Sequence, residues 1–336
     1  MASMTGGNNM GRGSMGAMDQ EIGTVTDTKM DPRDFLQLLK INAEKAEKNL
    51  PLDQKRAGME ALCERFPRAE GVELTLTDLG GVPCIRQATD GAGAAHILYF
   101  HGGGYISGSP STHLVLTTQL AKQSSATLWS LDYRLAPENP FPAAVDDCVA
   151  AYRALLKTAG SADRIIIAGD SAGGGLTTAS MLKAKEDGLP MPAGLVMLSP
   201  FVDLTLSRWS NSNLADRDFL AEPDTLGEMS ELYVGGEDRK NPLISPVYAD
   251  LSGLPEMLIH VGSEEALLSD STTLAERAGA AGVSVELKIW PDMPHVFQMY
   301  GKFVNAADIS IKEICHWISA RISKLAAALE HHHHHH

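Results

Sequence analysis

The stretch "RIIIAGDSAGGG" places a Gly-x-Ser-x-Gly pentapeptide, Gly169 to Gly173, between an apolar run and a segment of helical character, "LTTASMLKAKEDG". Strand, sharp turn and helix in that order make a nucleophile elbow: the flanking glycines let the chain turn so tightly that Ser171 is pushed out above the sheet, over a helix N-terminus. A serine hydroxyl attacks only when a base takes its proton, and the base needs a carboxylate to orient it. In this setting the order along the chain is nucleophile, acid, base. Outside the terminal run of six, the histidines are His96, His101, His113, His260, His295 and His316, and only the last three follow Ser171.

His260 lies inside the apolar run "MLIHVG" and reads as a core histidine; His316, in the amphipathic "IKEICHWISARI", reads as a packing or surface residue. His295 follows the strand-like "VSVELKIW" in a proline-bracketed loop, "PDMPHVF". That is the carboxyl end of a strand, where open α/β sheets gather their sites, and His295 is assigned as the base. The acid is expected after the preceding strand, where the chain offers Glu264, Glu265 and Asp270. Glu265, one residue deeper into the loop, is chosen, with Glu264 the alternative and Asp270 third because it falls within the next helix.

A second stretch, "HILYFHGGGYISG", strips the backbone bare at Gly102, Gly103 and Gly104. Such a loop can cradle a phosphate, receive a developing negative charge on its N–H groups, or simply turn. The dinucleotide spacing Gly-x-Gly-x-x-Gly is not met. With a serine nucleophile and its base elsewhere in the chain, charge reception is the reading that completes an acyl-transfer site.

These loops need a rigid scaffold. From Asp31, a plausible N-cap before Pro32, the residues Phe35, Leu38, Leu39 and Ala43 fall at helical spacing; a second helix is expected from about Asp53 to Phe66, with Met59, Leu62, Cys63 and Phe66 inward. "VELTLTDL" and "VPCIRQA", joined at Gly80-Gly81, alternate with period two and read as a hairpin. Short aliphatic runs then alternate with helix-length segments: "HILYF", "TLWSLD", "RIIIAG", "GLVMLS", "EMLIHVG" and "VSVELKIW". Unbroken apolar strands separated by helices require a parallel sheet buried on both faces. The expectation is an α/β fold with a mixed, mostly parallel sheet of about eight strands, interrupted by a polar, proline-containing insertion from Ser207 to Val247.

Composition limits the partners. With 44% hydrophobic residues but only 6% aromatic, the core must be large and mainly aliphatic. A net charge of −14 opposes binding to nucleic acid or an anionic membrane surface. Cys63, Cys84, Cys148 and Cys315 are scattered, without metal-binding spacing, so neither metal nor cofactor is expected and reduced thiols in a cytoplasmic protein are. Residues 1–17 read as a vector-derived leader and 324–336 as a linker with a histidine tag, with a native start expected near Met15, Met18 or Met30.

Together "HGGGYISG", "LDYRLAPENPFPAAVDD", "GDSAGGG", "SPFVDLT", "NPLISPVYADLSGLP" and "WPDMPHVF" resemble the hormone-sensitive-lipase family of bacterial carboxylesterases, from about Asp31 to Ile322. The resemblance implies an α/β-hydrolase domain over 71–322, with a helical cap built from 31–66 and an insertion at 207–240. It implies ester hydrolysis through Ser171 and His295, on acyl chains of about two to eight carbons. Its oxyanion hole would be the N–H groups of Gly103, Gly104 and Ala172, with Gly102 serving the turn, His101 bracing the loop, and Glu138 holding the loop or structural water, or forming a buried ion pair. The family's acid is an aspartate in an Asp-Pro-Leu turn, which falls here on Glu265-Ala266-Leu267, so both acid and proline differ. The resemblance also implies a homodimer through the last strand and its helix. Its rivals are an amidase or arylformamidase on the same fold, and a non-catalytic small-molecule receptor, which would typically have lost the histidine.

Overall fold

The computed structural model describes residues 29–47, 49–207 and 223–334. Its centre is an eight-stranded sheet: β1 Val72–Leu79, β2 Val82–Thr89, β3 His96–Phe100, β4 Thr127–Leu131, β5 Ile165–Asp170, β6 Gly194–Leu198, β7 Met257–Gly262 and β8 Val285–Trp290. The strand order is β1-β2-β4-β3-β5-β6-β7-β8. β1 and β2 form an antiparallel hairpin closing on Leu79 opposite Val82, β2 runs antiparallel to β4, and every other neighbour pair is parallel.

Burial on both faces explains the unbroken apolar strands. Side chains alternate across the sheet, sending Leu98, Phe100, Ile165 and Ile167 into one core and Ile97, Tyr99, Ile166 and Ala168 into the other. Eight helices lie in chain order among the described residues: α1 Pro32–Lys45, α2 Leu52–Cys63, α3 Leu114–Ser124, α4 Ala143–Ala159, α5 Ala172–Glu186, α6 Pro223–Val234, α7 Leu268–Ala280 and α8 Asn305–His334. The first core takes residues from α4, α5, α6 and α7, the second from α1, α3 and α8.

α1 begins as its sequence dictates, with Asp31 accepting the N–H of Arg33 and Pro32 in the first turn. Its inward face is Phe35, Leu39 and Asn42 rather than Ala43, and Phe35 meets the rings of Tyr300 and Phe303 at 5.2 and 5.9 Å. α2 ends at Cys63, three residues short of Phe66, which is buried beyond the helix end. Of the insertion expected at 207–240, residues 208–222 lie outside the described residues and 223–234 form α6.

The strand order positions the functional loops. After β3 the chain crosses to β4 on one side, then returns to β5 on the other, so the carboxyl ends of β3 and β5 are neighbours at a reversal of winding direction. Ligands bind at such a switch point in open α/β sheets. Phe100 lies opposite Gly169 in the parallel register, which brings the glycine triplet after β3 against the serine turn after β5.

Candidate active site

Between β5 and α5 the backbone reverses at Ser171, which takes φ 53° and ψ −118°. A left-handed φ at a residue with a side chain costs on the order of 1–3 kcal/mol and persists only where its surroundings enforce it. Here the serine N–H donates to Leu198 O at 2.9 Å, and its carbonyl accepts the N–H of Gly175 and Phe201 at 3.1 and 2.9 Å. The flanking glycines are steric necessities: a Cβ on Gly169 would sit 2.3 Å from Gly173 O, and one on Gly173 would sit 1.8 Å from Phe100 O.

His295, in the loop after β8, places Nε2 2.9 Å from Ser171 Oγ and Nδ1 2.8 Å from Glu265 Oε1. The Glu265 side chain is completely buried, and its second oxygen accepts the Gly262 N–H and the Ser199 hydroxyl, each at 2.6 Å. A buried carboxylate is tolerable only with its oxygens satisfied, and these are. Glu264 is half-buried and its own N–H donates to Met293 O. Asp270 is also buried, but it accepts the N–H groups of Val202 and Asp203 and so braces the loop after β6. The other two histidines lie apart from this chain of bonds. His260 accepts the Trp290 indole N–H at 3.1 Å and lies 2.8 Å from Ser310 Oγ; burial first, then Lys288, pull its pKa down to about 3. His316 is exposed on α8.

On the other side of Ser171, Gly103 and Gly104 have φ of 131° and 65°. Gly103 O accepts the N–H groups of Ile106 and Ser107 and the Ser107 hydroxyl, which curls the loop back on itself. Among the described residues, the N–H groups of Gly103, Gly104 and Ala172 have no acceptor inside the protein. Gly102 differs, because its N–H donates to Asp170 Oδ1 at 3.0 Å. His101 is buried with Nδ1 2.6 Å from Gly102 O, its ring stacked on Tyr133 at 4.4 Å. Burial first, then His113, lower its pKa to about 3, so it is neutral and Nδ1 donates to the carbonyl. Glu138 is not buried: it is an exposed partner of Arg56, which reaches from α2 to donate to Ile106 O and Ala136 O.

Two residues of the site carried no sequence-based role. Asp170, immediately before Ser171, is buried and accepts from Gly102 N–H, the Tyr99 hydroxyl and His113 Nε2. Burial pushes its carboxyl up, but the His113 ring and these hydrogen bonds outweigh that and hold it below the ordinary range. Ser199, at the end of β6, donates to Glu265 and accepts the N–H of Val296 at 3.1 Å, tying Glu265 to the residue after His295. Its position at the same sheet end as Ser171 and His295 was the available signal.

Ser171, His295, Gly103 and Gly104 line a cavity of about 320 Å³, which Leu226 and Met229 of α6 also line. Among the described residues no group of three or more His, Cys, Asp or Glu side chains could hold a metal ion. The arrangement can pass a proton from a hydroxyl to an imidazole while a buried carboxylate holds the ring, beside three backbone donors.

Comparison with known proteins identifies the family. A family model described as alpha/beta hydrolase fold matches residues 97–299. The chain is 44% identical over 204 residues to an acetyl-hydrolase of Streptomyces hygroscopicus, covering 61% of this chain and 68% of that protein. It is 34% identical over 273 residues to an esterase of Acinetobacter venetianus, covering 81% and 90%. Among solved structures, the hormone-sensitive-lipase homologue EstE7 from a metagenome library is 98% identical with a TM-score of 0.85, covering 88% of this chain and 100% of that one. EstE5, soaked with p-nitrophenyl butyrate, is 39% identical with a TM-score of 0.82, covering 86% and 99%. The chain belongs to the α/β-hydrolase family and, within it, to the carboxylesterases related to hormone-sensitive lipase.

Proposed function

We propose that the protein hydrolyses short-chain carboxylic esters through an acyl-enzyme formed on Ser171. The observation that carries this reading is the unbroken chain of bonds from Ser171 Oγ through His295 to Glu265, beside three unclaimed backbone donors. His295 Nε2 takes the hydroxyl proton as Oγ bonds to the ester carbonyl carbon, and the carbonyl oxygen gains the negative charge. Glu265 fixes the imidazole through Nδ1 and stabilises the imidazolium. The N–H groups of Gly103, Gly104 and Ala172 receive the oxyanion; where one such donor has been removed elsewhere the loss is roughly 2.7–4 kcal/mol. As the tetrahedral adduct collapses, the bond to the leaving alkoxide breaks and His295 returns the proton to it. Water then attacks the acyl-enzyme by the same route, releasing the acid and restoring Ser171.

The cavity of about 320 Å³ supports short acyl groups, and we assign α1, α2 and α6 to the cap expected over 31–66 and 207–240, of which 208–222 lie outside the described residues. The relatives named as esterase and acetyl-hydrolase support an ester substrate. Ser171→Ala should lower kcat/KM for p-nitrophenyl butyrate on the order of 10⁶-fold. A fluorophosphonate should add its phosphonyl mass to the wild-type protein at the peptide holding Ser171 and not to the variant. Labelling elsewhere, or near wild-type turnover by the variant, overturns the assignment.

A further inference from the structure

Gly103, Gly104 and Tyr105 form three consecutive residues at positive φ: 131°, 65° and 68°. Two are glycines and adopt this conformation freely, but Tyr105 carries a side chain, for which the left-handed region is unfavourable. Something must hold Tyr105, and through it the two donors before it. Its backbone is fixed on one side, where Tyr105 O accepts the Ala136 N–H at 2.9 Å. Its ring, only 2% exposed, lies flat on the ring of Tyr233, with centroids 3.7 Å apart and planes 6° from parallel. Phe201 touches it less closely, at 6.4 Å.

Tyr233 belongs to α6, whose buried stripe includes Leu226, Ser230, Tyr233 and Val234. One turn earlier, on the same face, is Met229. Its Sδ occupies the space above Gly104, where a Cβ would lie 2.1 Å from it. So residues i and i+4 of one helix grip two successive residues of the glycine loop. Tyr233 is itself held from beneath, with its carbonyl accepting the Phe141 N–H at 2.9 Å and the Phe141 ring meeting it edge-on at 6.1 Å. Its hydroxyl has no partner among the described residues, so the ring alone makes the contact.

We infer that Tyr233, with Met229, is a positioning residue for the oxyanion loop: α6 docks on the loop and holds the Gly103 and Gly104 donors in place. The inference rests on the proposed role of those two N–H groups. Its consequence is that α6, inserted between β6 and β7, bears on the rate of the chemical step as well as on substrate fit. Displacing reacting groups by about 1 Å can cost on the order of 10²-fold in rate.

The test compares Tyr233→Leu, Tyr233→Phe and Gly104→Ala with wild type. The substrate is p-nitrophenyl butyrate, and the inhibitors are an alkyl trifluoromethyl ketone, which adds to a serine as an oxyanion, and the matching unfluorinated ketone, which stays trigonal. Tyr233→Leu should lower kcat about 10- to 100-fold with KM changed less than about threefold, and weaken the trifluoromethyl ketone by a similar factor while sparing the plain ketone. Tyr233→Phe should restore most of the loss. An unchanged kcat and unchanged ketone ratio in Tyr233→Leu, with Gly104→Ala weakening the trifluoromethyl ketone, overturns the positioning role alone. If Gly104→Ala also spares that inhibitor, the oxyanion reading itself fails. Should Tyr233→Leu not fold, Met229→Ala probes the same contact from its half-buried end, and an unchanged ketone ratio there overturns the inference.

Discussion

Ser199 Oγ lies 2.6 Å from Oε2 of Glu265 while accepting the N–H of Val296, so one hydroxyl joins the carboxylate to the loop that carries His295. Its single proton goes to the carboxylate and a lone pair takes the amide. Ser199→Ala removes both contacts without changing size appreciably. Leaving the Val296 N–H buried and unpaired should cost about 1–3 kcal/mol of stability. Because the Gly262 N–H still holds Glu265, the imidazole keeps its acceptor but loses part of its alignment. The expected result is a kcat drop of about 10-fold at little-changed KM, together with a lower urea midpoint. Steady-state kinetics and urea melts check both.

The adjacent glutamates offer a sharper contrast. Glu265→Gln leaves the imidazole facing an amide instead of a carboxylate, and swapping the equivalent acid in a serine triad has cost about 10⁴ in kcat. Glu264→Gln alters a half-buried side chain one residue away from that bond, and kcat should stay within about threefold of wild type. Matching mild losses in both variants would remove Glu265 from the proposed triad.

The scaffold was legible because its determinants are local. Aliphatic runs such as "RIIIAG" and "GLVMLS" are too short for helices and too unbroken for half-exposed strands, so a sheet covered on both faces was the consistent arrangement. The elbow and the proline loop were equally readable, since each needs residue types that few other contexts require. What escaped was decided by contacts distant in sequence. Asp170 gains its partners from Tyr99, Gly102 and His113, and Ser199 reaches 66 residues forward to Glu265. Nothing in "GDSAG" or "SPFVD" alone distinguishes such residues from solvated polar ones. Glu138 departs only in burial: the glutamate expected to hold the glycine loop or to form a buried ion pair makes its ion pair at the surface, with Arg56, and Arg56 makes the contact with that loop.

Asp170 should matter to both stability and rate. Asp170→Asn keeps the shape and one acceptor oxygen but removes the charge beside the His113 ring. Weakening a hydrogen bond to a buried charged group costs about 1.5–3 kcal/mol, so the melting temperature should fall. Because Asp170 Oδ1 holds Gly102, immediately before the two proposed oxyanion donors, kcat should fall as well, about 10-fold. Ser171→Ala in the same background separates the effects: its melting temperature should drop just as far, since no catalysis is involved.

The buried histidines set how stability responds to acid. Burial holds His101 and His260 both at about 3, below the ordinary value of 6.5. Between those values the unfolded chain binds protons that the folded chain does not. Their contribution is therefore complete above pH 6.5 and is lost as pH falls toward 3. Each such proton contributes a slope of about 1.4 kcal/mol per pH unit. His260→Gln removes one titrating group at a site away from Ser171, replacing it with an uncharged side chain that can still accept the Trp290 N–H. The variant will be less stable at pH 7, where the native packing of the ring is lost. Between pH 6 and 4.5, however, its unfolding free energy should decline less steeply than wild type, by about 1.4 kcal/mol per unit. Urea unfolding followed by tryptophan fluorescence at four pH values measures both slopes; parallel lines would mean that His260 titrates alike in the folded and unfolded chain.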